Sequence, residues 1–151
     1  MPVEESEFKA TYGNIARIPC AFEKALTNNK ARCSRSRHFW LADREGYACK
    51  TSELSANCCE ILVKLRENAR FTLKLPQAGD KLPHNMEIRV QAGGLYGIAS
   101  LFSAQHQEMI DDIYALLGRA QAEYGGLDSW PYDRIVQSIS SYQGRKSRKR
   151  S

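Results

Sequence analysis

Five thiols lie within the first sixty positions, Cys20, Cys33, Cys49, Cys58 and Cys59, and no cysteine follows them. Cysteines used only for packing would be spread through a fold, so this clustering reads as a site. In a reducing compartment, four thiolates hold a metal ion or an iron–sulfur cluster. The first four are separated by twelve, fifteen and eight residues. Structural zinc sites are typically built from Cys pairs at two-residue spacing or from Cys and His close together. No such pair exists here, and His38, five residues past Cys33, is compatible with zinc without being distinctive. A cluster requires only that four thiolates converge in space. The spacing by itself discriminates little, but the missing knuckles tilt the reading from zinc toward an iron–sulfur cluster on Cys20, Cys33, Cys49 and Cys58, with a four-iron four-sulfur cluster as the expected form. Zinc on the same residues is the alternative. Ordinary free thiols packed as small hydrophobes are the third reading.

Two further features suit an anionic cofactor. Cys58 lies near the expected start of a helix, where free N–H groups and the positive end of the dipole favour thiolate. Residues 30–50 carry Lys30, Arg32, Arg35, Arg37, Arg44 and Lys50 against only Asp43 and Glu45. These cations would offset the charge of a thiolate-bound cluster and raise its potential. Phe39, Trp40 and Tyr47 are candidates to shield it from water. Cys58 falls on the apolar stripe of its helix, whereas Cys59 is rotated by ~100°. Cys58 is thus the expected ligand, with Cys59 as the alternative.

The elements that must position these thiols are mainly helical. Leu54, Cys58, Ile61, Leu62, Leu65 and Ala69 recur at three- and four-residue steps, the period of an amphipathic helix. Thr51, Ser52 and Ser55 are candidate N-caps. Phe71–Leu75 alternates like a short strand or an extended connection, and Pro76, Gly79 and Pro83 mark a loop. Residues 84–92 read as a helix opened by Pro83, because an isolated strand pair would lack partners. Gly93-Gly94 is expected to break it, with close backbone packing, against the cysteine lobe. Leu95, Ile98, Ala99 and Phe102 form another helical stripe. Ile110, Ile113, Tyr114, Leu117 and Ala120 form a third, ended by Gly125-Gly126, with Asp111-Asp112 on its solvated face. Pro131 opens a last helix carrying Ile135, Val136, Ile139 and Tyr142. The expected fold is mainly α: a compact helical domain with an irregular N-terminal cysteine-bearing lobe, a short helix at 20–27 and at most a short strand pair.

At 151 residues, 42% hydrophobic and 26% charged, the chain reads as one globular domain with a sizeable core. Residues 1–19 are expected to form an arm, 20–143 the domain and 144–151 a basic disordered tail. The net charge of +5 belongs to that tail: setting aside its five Lys and Arg leaves 17 basic residues against 17 acidic. Such a tail suits weak, salt-sensitive contact with phosphate, acidic partners or lipid heads, or simply aids solubility. No apolar run is long enough to span a membrane. The acidic start lacks the features of a secretory signal, so a cytoplasmic location is expected. The three histidines are dispersed, and the glycine segment Gln91–Gly97 fits neither a dinucleotide fingerprint nor a phosphate loop. No catalytic constellation is visible, so the chain is not expected to be an enzyme on its own.

Several segments together resemble a small proteobacterial family of four-cysteine proteins. They are the spaced cysteines, Arg44-Glu45 ahead of Cys49, Asn57-Cys58, the run from Leu62 through Leu65-Arg66-Glu67 to Ala69-Arg70-Phe71, then Leu75-Pro76, His84 and Gln91-x-Gly93-Gly94-Leu95. The likeness spans about residues 20–100. It implies an iron–sulfur protein associated with redox genes, including those of nitrogen-fixation electron supply and ion-pumping ferredoxin–nicotinamide oxidoreductases. It also implies Cys20, Cys33, Cys49 and Cys58 as ligands. A further cysteine is common in the family's glycine segment, where this chain has Ala92.

The function expected is a small iron–sulfur protein that transfers electrons or serves as an accessory subunit of a larger redox complex. Its partner would be a larger redox protein or a membrane-associated electron-transfer complex, with the chain peripheral at the inner face. A zinc- or cluster-containing nucleic-acid-binding regulator is one alternative, using the basic stretch with Trp40 or Tyr47. An assembly or stability factor with a structural metal is another.

Overall fold

The computed structural model describes residues 18–74, 82–104 and 108–142. Most of the expected arm, the Pro76–Gly79 turn and all of the basic tail lie outside the described residues. The architecture is mainly α with a single two-stranded antiparallel sheet. In chain order the elements are α1 (Glu23–Thr27), β1 (Ser36–Leu41), β2 (Arg44–Cys49), α2 (Ser52–Leu73), α3 (His84–Ser100), α4 (Ile113–Tyr124), a 3-10 turn (Leu127–Ser129) and α5 (Tyr132–Ser141). Among the described residues no helix is long and apolar enough to cross a membrane.

The core is built on α3, which packs against α1, α2, α4 and α5. Its centre is Ile61, Leu65, Val90, Leu95, Ile98, Ile135 and Ile139, all fully buried. Gly93-Gly94 does not break α3, contrary to the expectation from sequence. These glycines form a contact face instead. A Cβ on Gly93 would stand 2.7 Å from Ile139 Cα, and one on Gly97 would stand 2.5 Å from the Ile135 carbonyl oxygen. The missing side chains let α3 and α5 meet backbone to backbone, which offsets a helix-propensity cost of ~1 kcal/mol per glycine. Gly93 and Gly97 therefore pack on the C-terminal helix, while Gly94 faces the Leu65 side chain of α2.

Helix α2 begins where Thr51 Oγ1 accepts the Leu54 N–H at 3.2 Å, a cap that stabilises by ~1 kcal/mol. It buries Ile61, Leu62, Leu65 and Ala69 along the expected stripe. It also continues through Phe71–Leu73, so the short strand expected there is absent; Lys74, in the left-handed region at φ 52°, ends the helix. The alternation of Phe71 and Leu73 is the tail of a helical face, and Phe71 itself is 90% exposed.

The strand pair lies in the lobe expected to be irregular. Strands β1 and β2 pair antiparallel with Ser36 opposite Cys49 and Leu41 opposite Arg44. Ala42 and Asp43 make the two-residue turn with φ of 51° and 69°. Positive φ at both positions matches the twist of the flanking strands. Neither residue is the Asn-Gly pair that usually announces such a turn, which is why the sequence concealed it.

Candidate functional site

Each of the four spaced cysteines comes from a different local structure. Cys20 precedes α1, Cys33 sits in the loop before β1, Cys49 ends β2, and Cys58 is on the second turn of α2. All four line one cavity of about 330 Å³. Cys59 does not line it and is exposed, because one residue along α2 rotates its side chain away. None of the five is in a disulfide.

Long-range hydrogen bonds hold these segments together. The Cys49 N–H donates to the Ile18 carbonyl at 2.7 Å, and Ser55 Oγ on α2 donates to the Pro19 carbonyl at 2.7 Å. The chain entering Cys20 is thereby pinned between β2 and α2. The Cys33 loop is fixed from the other side. Ile110 N–H donates to the Lys30 carbonyl at 3.0 Å, and the Ile110 carbonyl accepts the Arg32 N–H at 2.9 Å. Ile113 N–H then reaches the Arg32 carbonyl at 2.8 Å. Asp112 Oδ1 accepts from Ser34 N–H at 2.9 Å and from Tyr114 N–H at 3.1 Å. Asp112 is thus the N-cap of α4, not a residue of a solvated face, and α4 starts at Ile113. The signal available was its type and place: an Asp directly before an apolar helical stripe.

A second network anchors α1, the helix that follows Cys20. Gln91 Oε1 on α3 accepts the Ala25 N–H at 3.1 Å, and Gln91 Nε2 donates to Glu87 Oε2 at 2.8 Å. Arg66 on α2 binds both oxygens of Glu87, at 3.1 and 2.7 Å. Gln91 and Glu87 are buried with their polar atoms partnered, as low-dielectric surroundings require.

The cavity is apolar on its inner side, where Phe22, Leu54, Ile113 and Leu117 line it. Backbone N–H groups near the sulfurs favour thiolate: that of Phe22 acts to lower Cys20, and those of Arg35 and Tyr114 act to lower Cys33. Burial pushes the thiols of Cys20 and Cys58 up to about 12. The Cys33 thiol is also raised, by burial first and by the neighbouring charges of Asp112 and Cys49. Cys20 is further raised by Cys33, Cys58 and Cys49, and Cys58 by Cys33, Cys49 and Cys59. The four sulfurs therefore share one electrostatic environment, in which several thiolates persist only beside a compensating cation.

Three expectations about the surroundings change. Cys58 is the seventh residue of α2, so its N–H is committed within the helix and the terminal dipole has faded by that turn. Trp40 is 63% exposed and shields nothing. Tyr47 stacks on His38 with centroids 4.6 Å apart, and His38 Nε2 meets Glu45 Oε2 at 2.7 Å. Of the basic stretch, Arg35 lines the cavity, and its guanidinium lies 4.4 Å from the Tyr114 ring centroid.

The donor set fits a thiolate-bound cluster: four soft sulfur donors, N–H groups near them and an apolar wall. Among the described residues no three His, Cys, Asp or Glu side chains stand together so as to hold a single metal ion.

Comparison with protein-family models, with curated protein sequences and with solved structures found no match to this chain.

Proposed function

We propose that the four-cysteine cavity holds an iron–sulfur cluster, four-iron four-sulfur, with Cys20, Cys33, Cys49 and Cys58 as its ligands. The protein then exchanges electrons as a small carrier or as an accessory subunit of a larger redox complex. The observation that carries this reading is the convergence of four sequence-remote thiols on one 330 Å³ cavity while the fifth stays outside. When bound, the cluster supplies one-electron redox chemistry. The chain's own residues hold it, set N–H groups near its sulfurs and exclude water with Phe22, Leu54, Ile113 and Leu117. Tyr114, 40% exposed, and exposed Arg35 stand where the cavity meets the surface, which suits electron exchange with a docked partner. A redox protein in the cytoplasm or at the inner membrane face is the partner class this implies.

Anaerobic purification or reconstitution, with iron, sulfide and zinc analysis, tests the reading. The expected product is brown, absorbs in the near-visible and carries roughly four irons per chain. A colourless anaerobic preparation with stoichiometric zinc overturns it. Exposed Trp40 on a basic strand favours one second reading, nucleic-acid contact by stacking and phosphate pairing. That reading requires steeply salt-dependent binding that is lost when Arg32, Arg35 and Arg37 are replaced.

A further inference from the structure

Four thiolates around a cluster leave the site with net negative charge, and reduction adds one more. A cation fixed beside the site therefore stabilises the reduced form more than the oxidised one. Among the residues lining the cavity only Arg35 carries a permanent positive charge. Its place is set from three directions. It lies two residues past Cys33, with its backbone N–H near enough to that sulfur to favour the thiolate. Its carbonyl accepts the N–H of Lys50, next to Cys49, at 2.9 Å. Its guanidinium lies 4.4 Å from the centroid of the Tyr114 ring, within the range of cation–π attraction. Tyr114 is itself tied to the site, because its N–H donates at 3.1 Å to Asp112 Oδ1, the oxygen that also accepts the N–H of Ser34, next to Cys33. Among the described residues Arg35 forms no ion pair with a carboxylate; the acid that faces the site is Asp112, beside Cys33, whose Oδ1 accepts these same Ser34 and Tyr114 N–H groups.

We infer that Arg35, clamped on Tyr114 at the mouth of the four-cysteine cavity, is the charge-compensating residue of the site. It holds the cluster's reduction potential up and draws anionic electron donors to that mouth. The inference rests on the cluster reading above and adds a residue, a direction and a class of donor to it. Arg35 is a positioning residue for charge; it is not a ligand. Lysine at this position keeps the charge but loses the planar stacking on Tyr114.

The test uses the reconstituted full chain as wild type, Arg35→Gln, Arg35→Lys and Tyr114→Leu, with potentials measured by spectroelectrochemistry. Arg35→Gln is expected to shift the potential to more negative values, and Arg35→Lys to restore most of that shift. Tyr114→Leu, which keeps the charge but frees the guanidinium, should shift it part of the way. At low salt, reduction by anionic dithionite should slow several-fold in Arg35→Gln, and reduction by a cationic viologen radical should not. A merely structural role for Arg35 would leave this contrast between donors unmoved. If Arg35→Gln loads a cluster with wild-type potential and shows no donor contrast, the inference is overturned and the cluster reading stands. If Arg35→Gln fails to load, wild-type potential and donor contrast in Tyr114→Leu overturn the inference in its place. If wild type itself takes up no cluster, both fall together.

Discussion

Ser34 and Asp112, 78 positions apart, are joined by a hydrogen bond of 2.9 Å from the Ser34 N–H to Asp112 Oδ1. The same carboxylate oxygen caps α4 through the Tyr114 N–H. One side chain thus ties the loop that presents Cys33 to the helix that forms the inner wall of the cavity.

Replacing Asp112 with alanine removes both bonds at once. The expected loss is about 1–2 kcal/mol of stability, in the upper range for an N-cap. If the site holds the proposed cluster, its release should also be faster, because the Cys33 loop loses its anchor. Asp112→Asn, which keeps an acceptor, should recover most of both. Chemical denaturation and the decay of visible absorbance under air check the two effects. Equal cluster lifetimes in all three proteins would show that Asp112 has no bearing on the site.

The cavity separates the cysteines into four and one. Cys20→Ser, Cys33→Ser, Cys49→Ser and Cys58→Ser should each lose most of the iron and sulfide taken up on reconstitution. Cys59→Ser should load like wild type, since its side chain lies outside the cavity. Iron and sulfide per chain are the measurement. Loss on replacing Cys59 with retention on replacing Cys58 would reverse the assignment on α2.

The close approach of α3 and α5 makes Gly97 intolerant of any side chain. A Cβ there would meet Ile135 backbone atoms at 2.5, 2.9 and 3.0 Å, and backbone cannot rotate aside. Gly97→Ala should cost about 1–3 kcal/mol through forced separation of the helices, despite alanine's better helix propensity. Gly118→Ala on α4 meets nothing within 4 Å. In the metal-free protein it should be stabilising by about 0.5–1 kcal/mol. Denaturation midpoints of the two variants should move in opposite directions.

Burial raises the thiols of Cys20 and Cys58 from 9.0 to about 12. The folded state therefore retains protons that the unfolded chain releases as pH passes 9.0. The stability tied to these protons is fully present below that pH and is lost as pH climbs toward 12. The reduced, metal-free protein should show a falling urea midpoint between about pH 8 and pH 10.5. A Cys20→Ser, Cys58→Ser double variant should show a flatter profile. Cluster uptake must deprotonate the same thiols, so loading should release protons. An unchanged midpoint across this range would contradict the burial of the two thiols.

Parts of the site were legible one segment at a time. The stripe from Leu54 to Ala69 located α2, and the 100° step between neighbours told Cys58 from Cys59. Pro131 and Gly125-Gly126 marked true helix ends. The hairpin was hidden because Ala42-Asp43 carries no conventional turn signature. Phe71–Leu73 was misread because three residues satisfy both periods, and the helix continued under them. Gly93-Gly94 was misread because glycine weakens an isolated helix, whereas here Gly93 is covered by Ile139 and Gly94 by Leu65.

The amino-acid sequence alone determined the helical character of the chain, the inward face of α2 and the set of thiols able to act together. These are local properties, governed by a 3.6-residue period and by side-chain type. Only the tertiary structure decided that Cys20, Cys33, Cys49 and Cys58 share a cavity, that Asp112 anchors the Cys33 loop and that Arg35 stands at the opening against Tyr114. Those relationships depend on hydrogen bonds and packing between segments far apart in the chain. No repeat within a single segment encodes such pairings, because they form only once the whole core has closed.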